Sequence, residues 1–562
     1  MLFRSNADKP FDRFLTEQLA GDLLPFRTQE ERDQHIVATG FLVVGPKVIG
    51  ATDKEQLLVD AIDEQVDTIG KAFLGLTIGC ARCHDHKFDP ISARDYYALA
   101  GILASTETIH GNLLNRRDLT GWNLHPLGPG GQAAYDAFLA HEKTLDGLLK
   151  EQKGLQATRE GLKKENKPAA QTKTSEEKPQ ANLDFKTERE RIEAQLAELD
   201  RKISDLKKNP VPRPPLAMSV NDHERPGPMA ICVRGDAHNR GETVRRGFVS
   251  TITPNPPEIG TNVSGRAQLA DWLTSSQNPL TSRVAVNRIW QHLFGQALVG
   301  TPDDFGTRGE RPSNPELLDY LAQRFMRQGW SAKRLIRDLV LSRTYQLSSS
   351  FNRAAAARDP ENRWLWRMNR RRLQAEALRD GLLAVSGQLD PSPAESVVAE
   401  LGAQATGVGV KPRNHVRSVR RTIYLPVIRN DLPALFQLFD FGDSLSVNGR
   451  RSTTNVAPQA LFMLNSPLVF EAATHTAEIV LEGCDLADEH RLLDGLYVRI
   501  LGRPPRHDEI EPSLQLVHAA LLHSAESEPA ASKSAAEARS RVLAWAILSQ
   551  ALFCSTKFQY LD

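Results

Sequence analysis

Apolar residues recur every three or four positions along most of this chain, the period of helices that bury one face. Phe11, Leu15, Leu19 and Leu23 form the first stripe. Their helix has to end before Pro25, because a residue ahead of a proline is pushed out of the helical region. A second helix is expected over about Gln29 to Thr39, and Ile62, Val66, Ile69, Phe73 and Leu76 mark a third within Asp60 to Leu76. Lys87-Phe88-Asp89-Pro90-Ile91 then reads as an irregular turn forced by its proline. Ser92 stands three residues before Asp95, a capping-box-like start for a helix through Tyr96, Leu99 and Ile102.

The pattern changes twice further on. Ile192, Leu196, Leu199, Ile203 and Leu206 alternate spacings of four and three, the seam of a coiled coil. Leu145, Leu148, Leu155 and Leu162 suggest a looser seam on an earlier helix. Between them, Asn166 to Asn182 is nearly free of apolar residues, which predicts a mobile tip on an antiparallel helical hairpin. The bland reading of that hairpin is a solvated strut, and the sharper one is an arm for docking a protein. Residues 210–258 carry Pro and Gly throughout, with short apolar runs such as Ala230-Ile231-Cys232-Val233, so a small β-rich module is expected. Arg234-Gly235-Asp236 within it reads as a turn with a local Arg–Asp pair rather than as an adhesion motif. From about residue 263 helical periods dominate again, over Gln268–Ser275, Ser282–Phe294, Pro315–Arg327, Ala332–Ser342, Arg371–Ser386 and Leu461–Leu481. The third of these starts with Ser313 and Glu316, or with Asn314 as cap and Pro315 as first helical residue; Ser331 caps the fourth.

The expected architecture is mainly α: multi-helical domains with a coiled-coil hairpin insert and a small β-rich module. Its divisions fall at residues 1–130, 134–208, 210–260 and 263–562. A length of 562 residues allows two to four domains. Lys and Arg total 70 against 69 Asp and Glu, and the net charge of +1 gives no reason to expect nucleic acid or an anionic membrane as partner. No apolar run approaches the length of a membrane span. Met1-Leu2-Phe3-Arg4-Ser5-Asn6 has neither the apolar core nor the cleavage site of an export signal.

The chemistry concentrates in Cys80-Ala81-Arg82-Cys83-His84, a C-x-x-C-H run that is the attachment signature of c-type haem. Two thiols three positions apart can each form a thioether to a haem vinyl, and the adjacent imidazole then becomes the iron's proximal ligand. With five Cys and 15 His in the chain, shuffling produces such a run on the order of once in a thousand sequences. Three other readings use the same residues. A thioredoxin-type pair wants its first Cys at a helix start after a strand, whereas a helix precedes this one. A structural metal needs about four ligands, and only His86 and Asp89 lie close enough in sequence to complete a local cluster. A plain disulfide is the last. Cys232, Cys484 and Cys554 are scattered and support no disulfide framework.

The run sits in a longer string, Phe73-Leu74-Gly75-Leu76-Thr77-Ile78-Gly79 before it and Asp85-His86-Lys87-Phe88-Asp89-Pro90-Ile91 after it, followed by Asp95-Tyr96-Tyr97. This string, with Phe11 to Pro25, resembles the second type of planctomycete cytochrome-c-like domain. The C-terminal half is similar to the planctomycete-specific domain commonly fused behind it, through Asn287-Arg288-Ile289-Trp290, Asp304-Phe305-Gly306, Glu316 to Leu321, Arg371 to Glu376, Phe439-Asp440-Phe441 and Pro458 to Leu461. The resemblance implies an exported, periplasmic protein containing haem c on Cys80, Cys83 and His84. It implies also that full-length relatives carry an export signal, and often a further cytochrome-like domain, ahead of the point where this chain starts, so the N-terminal domain is expected to be incomplete.

A second axial ligand, if one exists, is sought among His110, His125, His238, Met218 and Met229. In the helical half, Arg288, Asp304, Arg372, Glu376, Asp380, Arg429, Asp440, Arg450 and Gln459 stand in apolar contexts. They read as an internal salt-bridge network or as a substrate cleft. No nucleophile elbow, phosphate loop, dinucleotide fingerprint or zinc-protease motif is present. Three functions follow: electron transfer through haem c to an unidentified redox partner or substrate, a non-redox scaffold with a structural metal at the Cys–His cluster, or a haem-dependent enzyme acting on an extracellular polymer.

Overall fold

The computed structural model describes residues 5–47, 52–108, 124–165, 179–253, 255–392, 418–425, 427, 432–443, 446–483, 488–526 and 533–561. It is mainly helical, with short two-stranded ribbons. Helix α1, Phe11–Ala20, buries Leu15 and Leu19 together with the charged Glu17. It tightens into a 3₁₀ turn over Gly21–Leu23, as the proline beyond requires, and Leu23 is left exposed. Helix α2, Gln29–Thr39, is capped by the Thr28 hydroxyl, which accepts from the Glu31 amide. Helix α3, Lys54–Ile69, ends earlier than its apolar period suggests. A π-type turn over Gly70–Leu74 and a left-handed Gly75 (φ 60°) follow, so Phe73 and Leu76 reach the core from outside the helix. Helix α4, Ala93–Ala104, opens with the full capping box of Ser92 and Asp95.

Two long helices come next, α5 (Gly131–Glu165) and α6 (Pro179–Lys208), packed side by side. Contacts of His141 with Leu206 and of Gln152 with Asp200 set them antiparallel. Ile192, Leu196, Leu199 and Ile203 are nearly inaccessible along the seam. The tip expected from Asn166 falls largely outside the described residues. Three antiparallel ribbons flank the hairpin: β1 (Thr106–Glu107) with β4 (Asn221–Asp222), β2 (Leu124–Pro126) with β3 (Leu216–Met218), and β5 (Met229–Cys232) with β6 (Arg240–Val244). Two strands of the β-rich stretch therefore pair with segments ahead of the hairpin.

The remaining chain folds into α7 (Arg266–Thr274), α8 (Thr281–Phe294), α9 (Pro315–Arg327), α10 (Ala332–Val340), α11 (Ala375–Val385), α12 (Ala457–Asn465), α13 (Pro467–Glu482), α14 (Glu489–Leu501), α15 (His507–Glu526) and α16 (Lys533–Cys554). Asn314 caps α9, with Pro315 in its first turn. The helix expected over Arg371–Ser386 starts late because Arg371–Arg372 pairs as strand β7 with β8, Tyr560–Leu561. The one expected over Leu461–Leu481 is broken at Ser466-Pro467.

Three apolar cores hold these parts. The first joins Leu15, Leu19, Tyr96 and Tyr97 to Val220, Val244 and Trp272, so α7 packs with the N-terminal helices. The second gathers Trp290, Phe294, Phe325 and Trp330, with Phe11 stacked on Trp330. The third collects Leu382, Phe436, Met463, Leu493 and Trp545. Among the described residues, no helix is long and apolar enough to cross a membrane.

Candidate functional site

Cys80 and Cys83 lie on and just after a 3₁₀ turn, Ile78–Arg82, in the joint between α3 and α4. Ile78 and Ala81 point into the first core, which turns the residues between and after them outward. Both cysteines are exposed free thiols, and His84 beside them is exposed. The His84 Nδ1–H donates to its neighbour's carbonyl, Asp85 O, at 2.7 Å. That bond fixes the tautomer and leaves the Nε2 lone pair as the ring's remaining donor. A metal-binding histidine needs this arrangement.

Four parts of the fold fix the loop. From α3, Asp60 and Asp63 hold the Arg82 guanidinium at 2.6 and 2.9 Å. Burial penalises the Arg82 charge, but hydrogen bonding to Asp60 and attraction to Asp63 outweigh it and raise its pKa above the ordinary arginine value. From α4, the Tyr97 hydroxyl donates to Arg82 O at 3.1 Å, and the Ala93 amide donates to Asp85 Oδ1 at 2.8 Å. From the β5–β6 ribbon, Gly235 O accepts from Arg82 at 3.1 Å. Gly235 (φ 80°) lies so close that a Cβ there would stand 3.0 Å from Cys83 Sγ. From the segment after α8, Phe305 N donates to Gly75 O at 2.6 Å, and the Thr307 amide and hydroxyl donate to Asp89 Oδ1 at 2.6 and 2.5 Å.

His86 and Asp89, the residues that a local metal cluster would add, are spent on this scaffolding. The amides of Phe88 and Asp89 donate to His86 Nδ1 at 3.3 and 2.8 Å, so its Nε2–H points to Thr77 Oγ1 at 3.1 Å. Among the described residues no three His, Cys, Asp or Glu side chains are grouped to hold a metal ion. Two exposed thiols and one imidazole with a satisfied Nδ1–H do suit covalent haem: Cys80 and Cys83 would carry the thioethers and Nε2 of His84 would face the iron.

The other candidates scatter. His238 is three residues beyond Gly235, but its Nε2 bonds Asp53 Oδ2 at 2.8 Å. Met218 and Met229 pack against the first core, and His125 lies on β2. His110, Arg429 and Cys484 fall outside the described residues. In the helical half the charged residues pair with one another: Arg288 with Asp303 at 2.8 Å, Arg372 with Asp440 at 2.6 Å and Glu376 with Arg451 at 2.8 Å. Burial would raise the Asp440 carboxyl, but the Thr454 amide and hydroxyl and the Arg372 guanidinium hold it below the usual carboxylate range. Asp380 accepts from the Thr422 amide and hydroxyl at 2.8 and 2.6 Å, and Asp304 from the Gly306 amide at 2.9 Å. Gln459 bridges Arg372 and Leu438 O, and the Arg450 amide donates to Asn448.

Two polar groupings escaped the sequence reading. Arg266, wholly buried, joins Asp22 and Asp222. His35 and Glu17 meet in the interior between α1 and α2. Each grouping draws on residues far apart in the chain or hidden in a helix pattern that reads as amphipathic, so spacing gave no signal.

Among curated proteins and solved structures, no match to the chain is found. Two family models do match. Residues 2–108 match PSCyt2 and residues 265–517 match PSD1, each described as a protein of unknown function. The hairpin and most of the ribbons lie between the two matched regions, and the Cys–His loop packs on residues of both. The two matched regions thus resemble, in order along the chain, the second-type planctomycete cytochrome-c-like domain and the planctomycete-specific domain that follows it, both of unknown function.

Proposed function

We propose that this protein is an exported, periplasmic c-type haem protein that passes electrons to or from a partner protein or a substrate. Haem c would be joined to Cys80 and Cys83, with His84 as proximal ligand. One observation carries the reading: directly after two accessible thiols, His84 donates Nδ1–H to the Asp85 carbonyl, which pre-sets the tautomer that iron requires.

Haem bound here supplies a one-electron iron couple. The chain's own residues position it. Arg82, pinned by Asp60 and Asp63, holds the turn between the thiols. Asp85 orients the imidazole through its carbonyl and ties the loop to α4 through its carboxylate. Exposed attachment residues favour exchange of electrons with a docked partner over chemistry in an enclosed cavity.

Expression behind an export signal, together with a haem-c maturation system, tests the reading. The expected result is haem staining of denatured protein and a Soret band that survives acid–acetone extraction. Colourless, iron-free protein from a maturation-competent periplasm would overturn it.

A further inference from the structure

A cleft of about 510 Å³ opens between α1, the loop after it, α2 and the end of α7. That volume lies within the range of small-molecule sites, which concentrate where separate parts of a fold meet. At its floor is His35, 2% exposed, with neither ring nitrogen hydrogen-bonded. Its Nε2 is 3.6 Å from Glu17 Oε1 and 4.0 Å from Glu31 Oε1, beyond hydrogen-bond reach. Both carboxylates are already answered: Glu17 by Lys9 at 2.6 Å and Arg13 at 3.2 Å, Glu31 by Arg13 at 2.8 Å. An imidazole carries one donor and one acceptor, and leaving both empty in the interior costs free energy that a bound polar group recovers.

The lining says what else the ligand carries. Asp12 and Arg27 face this cleft, and neither has an ion-pair partner among the described residues. They offer one negative and one positive charge. Leu24, Pro25 and the exposed ring of Phe26 supply an apolar wall. A ligand with a single charge would answer only one of the two side chains.

We propose that this cleft binds a small zwitterion with an apolar side chain, of the class of free α-amino acids. The carboxylate meets Arg27, the ammonium group meets Asp12, the apolar group lies along Phe26, and a polar atom or its bound water reaches His35. This site is separate from the Cys–His loop and does not depend on haem.

Titration of the full chain with L-phenylalanine, L-leucine and L-methionine by calorimetry tests the proposal. N-acetyl-L-phenylalanine and L-phenylalanine amide each remove one charge. Saturable one-to-one binding of at least one amino acid is expected, with the cognate blocked forms about tenfold weaker or worse, equivalent to about 1.4 kcal/mol. Arg27→Gln should abolish the preference over the amide, and Asp12→Asn the preference over the N-acetyl form, while the His35 ring nitrogen resonances shift on binding to the unmodified chain. No saturable binding by any of the three, equal affinity for the blocked forms, or discrimination unchanged in both variants would each overturn the proposal.

Discussion

Arg266 grips both carboxylate oxygens of Asp22, through Nη1 at 2.6 Å and Nη2 at 2.7 Å. The same guanidinium reaches Asp222 Oδ1 at 2.5 Å and donates to Leu19 O at 3.0 Å. One fully buried cation thus fastens the end of α1, strand β4 and the start of α7. Arg266→Met leaves two carboxylates without their counter-charge and is expected to cost about 3–5 kcal/mol, read from urea unfolding. Arg266→Lys keeps the charge but loses the planar fork, so an intermediate loss is expected. A change under about 1 kcal/mol in the Met variant would mean that Asp22 and Asp222 find other partners.

Removing the thiols separates covalent haem from adventitious haem. In a maturation-competent host, Cys80→Ser or Cys83→Ser should each lower the yield of haem-stained denatured protein, and the double variant should bring it to background. His84→Ala should change the axial ligation seen in the visible spectrum. Equal staining of the double variant and the unmodified chain would exclude attachment at this loop.

Acid should weaken the fold through His35. Burial holds its imidazole below the ordinary 6.5; Glu17 and Glu31 pull it up, and Arg13 and Lys9 push it down. A base whose folded pKa is depressed takes its proton more readily in the unfolded chain. Stability from this group is therefore full above about pH 6.5 and is lost as pH falls towards the folded value. Burial and the positive charge of Arg371, Arg451 and Arg288 depress His292 in the same direction. His35→Gln should flatten part of the fall in unfolding midpoint between about pH 7 and pH 5 while His292 keeps the rest. An unchanged slope in that variant would remove His35 as the source.

Gly75 couples the Cys–His loop to the segment that follows α8. Its φ is 60°, and a Cβ there would stand 2.7 Å from the Phe305 ring. Gly75→Ala should cost about 1–3 kcal/mol from left-handed strain and overlap together. Adding Phe305→Leu should recover the overlap but not the strain. A thermal midpoint unmoved by Gly75→Ala would show that the backbone there shifts freely.

Sequence by itself determined the helical class and much of the element map. Stripes at spacings of three and four put α1 and the hairpin seam in place, because a helix that buries one face writes that period directly into its residues. The Ser92 cap and the Pro315 start were legible for the same local reason. The Cys80-Ala81-Arg82-Cys83-His84 run is local in the same sense, since all its residues fall within five consecutive positions.

Only the tertiary structure decided how these pieces meet. Spacing on the chain is silent about Arg266 reaching residues 244 and 44 positions away, or Thr307 closing on Asp89 from 218 positions away. The early end of α3 at its π turn, the committed hydrogen bonds of His86 and the unpaired nitrogens of His35 are equally absent from any local pattern. Each depends on desolvation and on donors and acceptors brought together by distant segments. A helix period specifies which face is buried but not what lies opposite it.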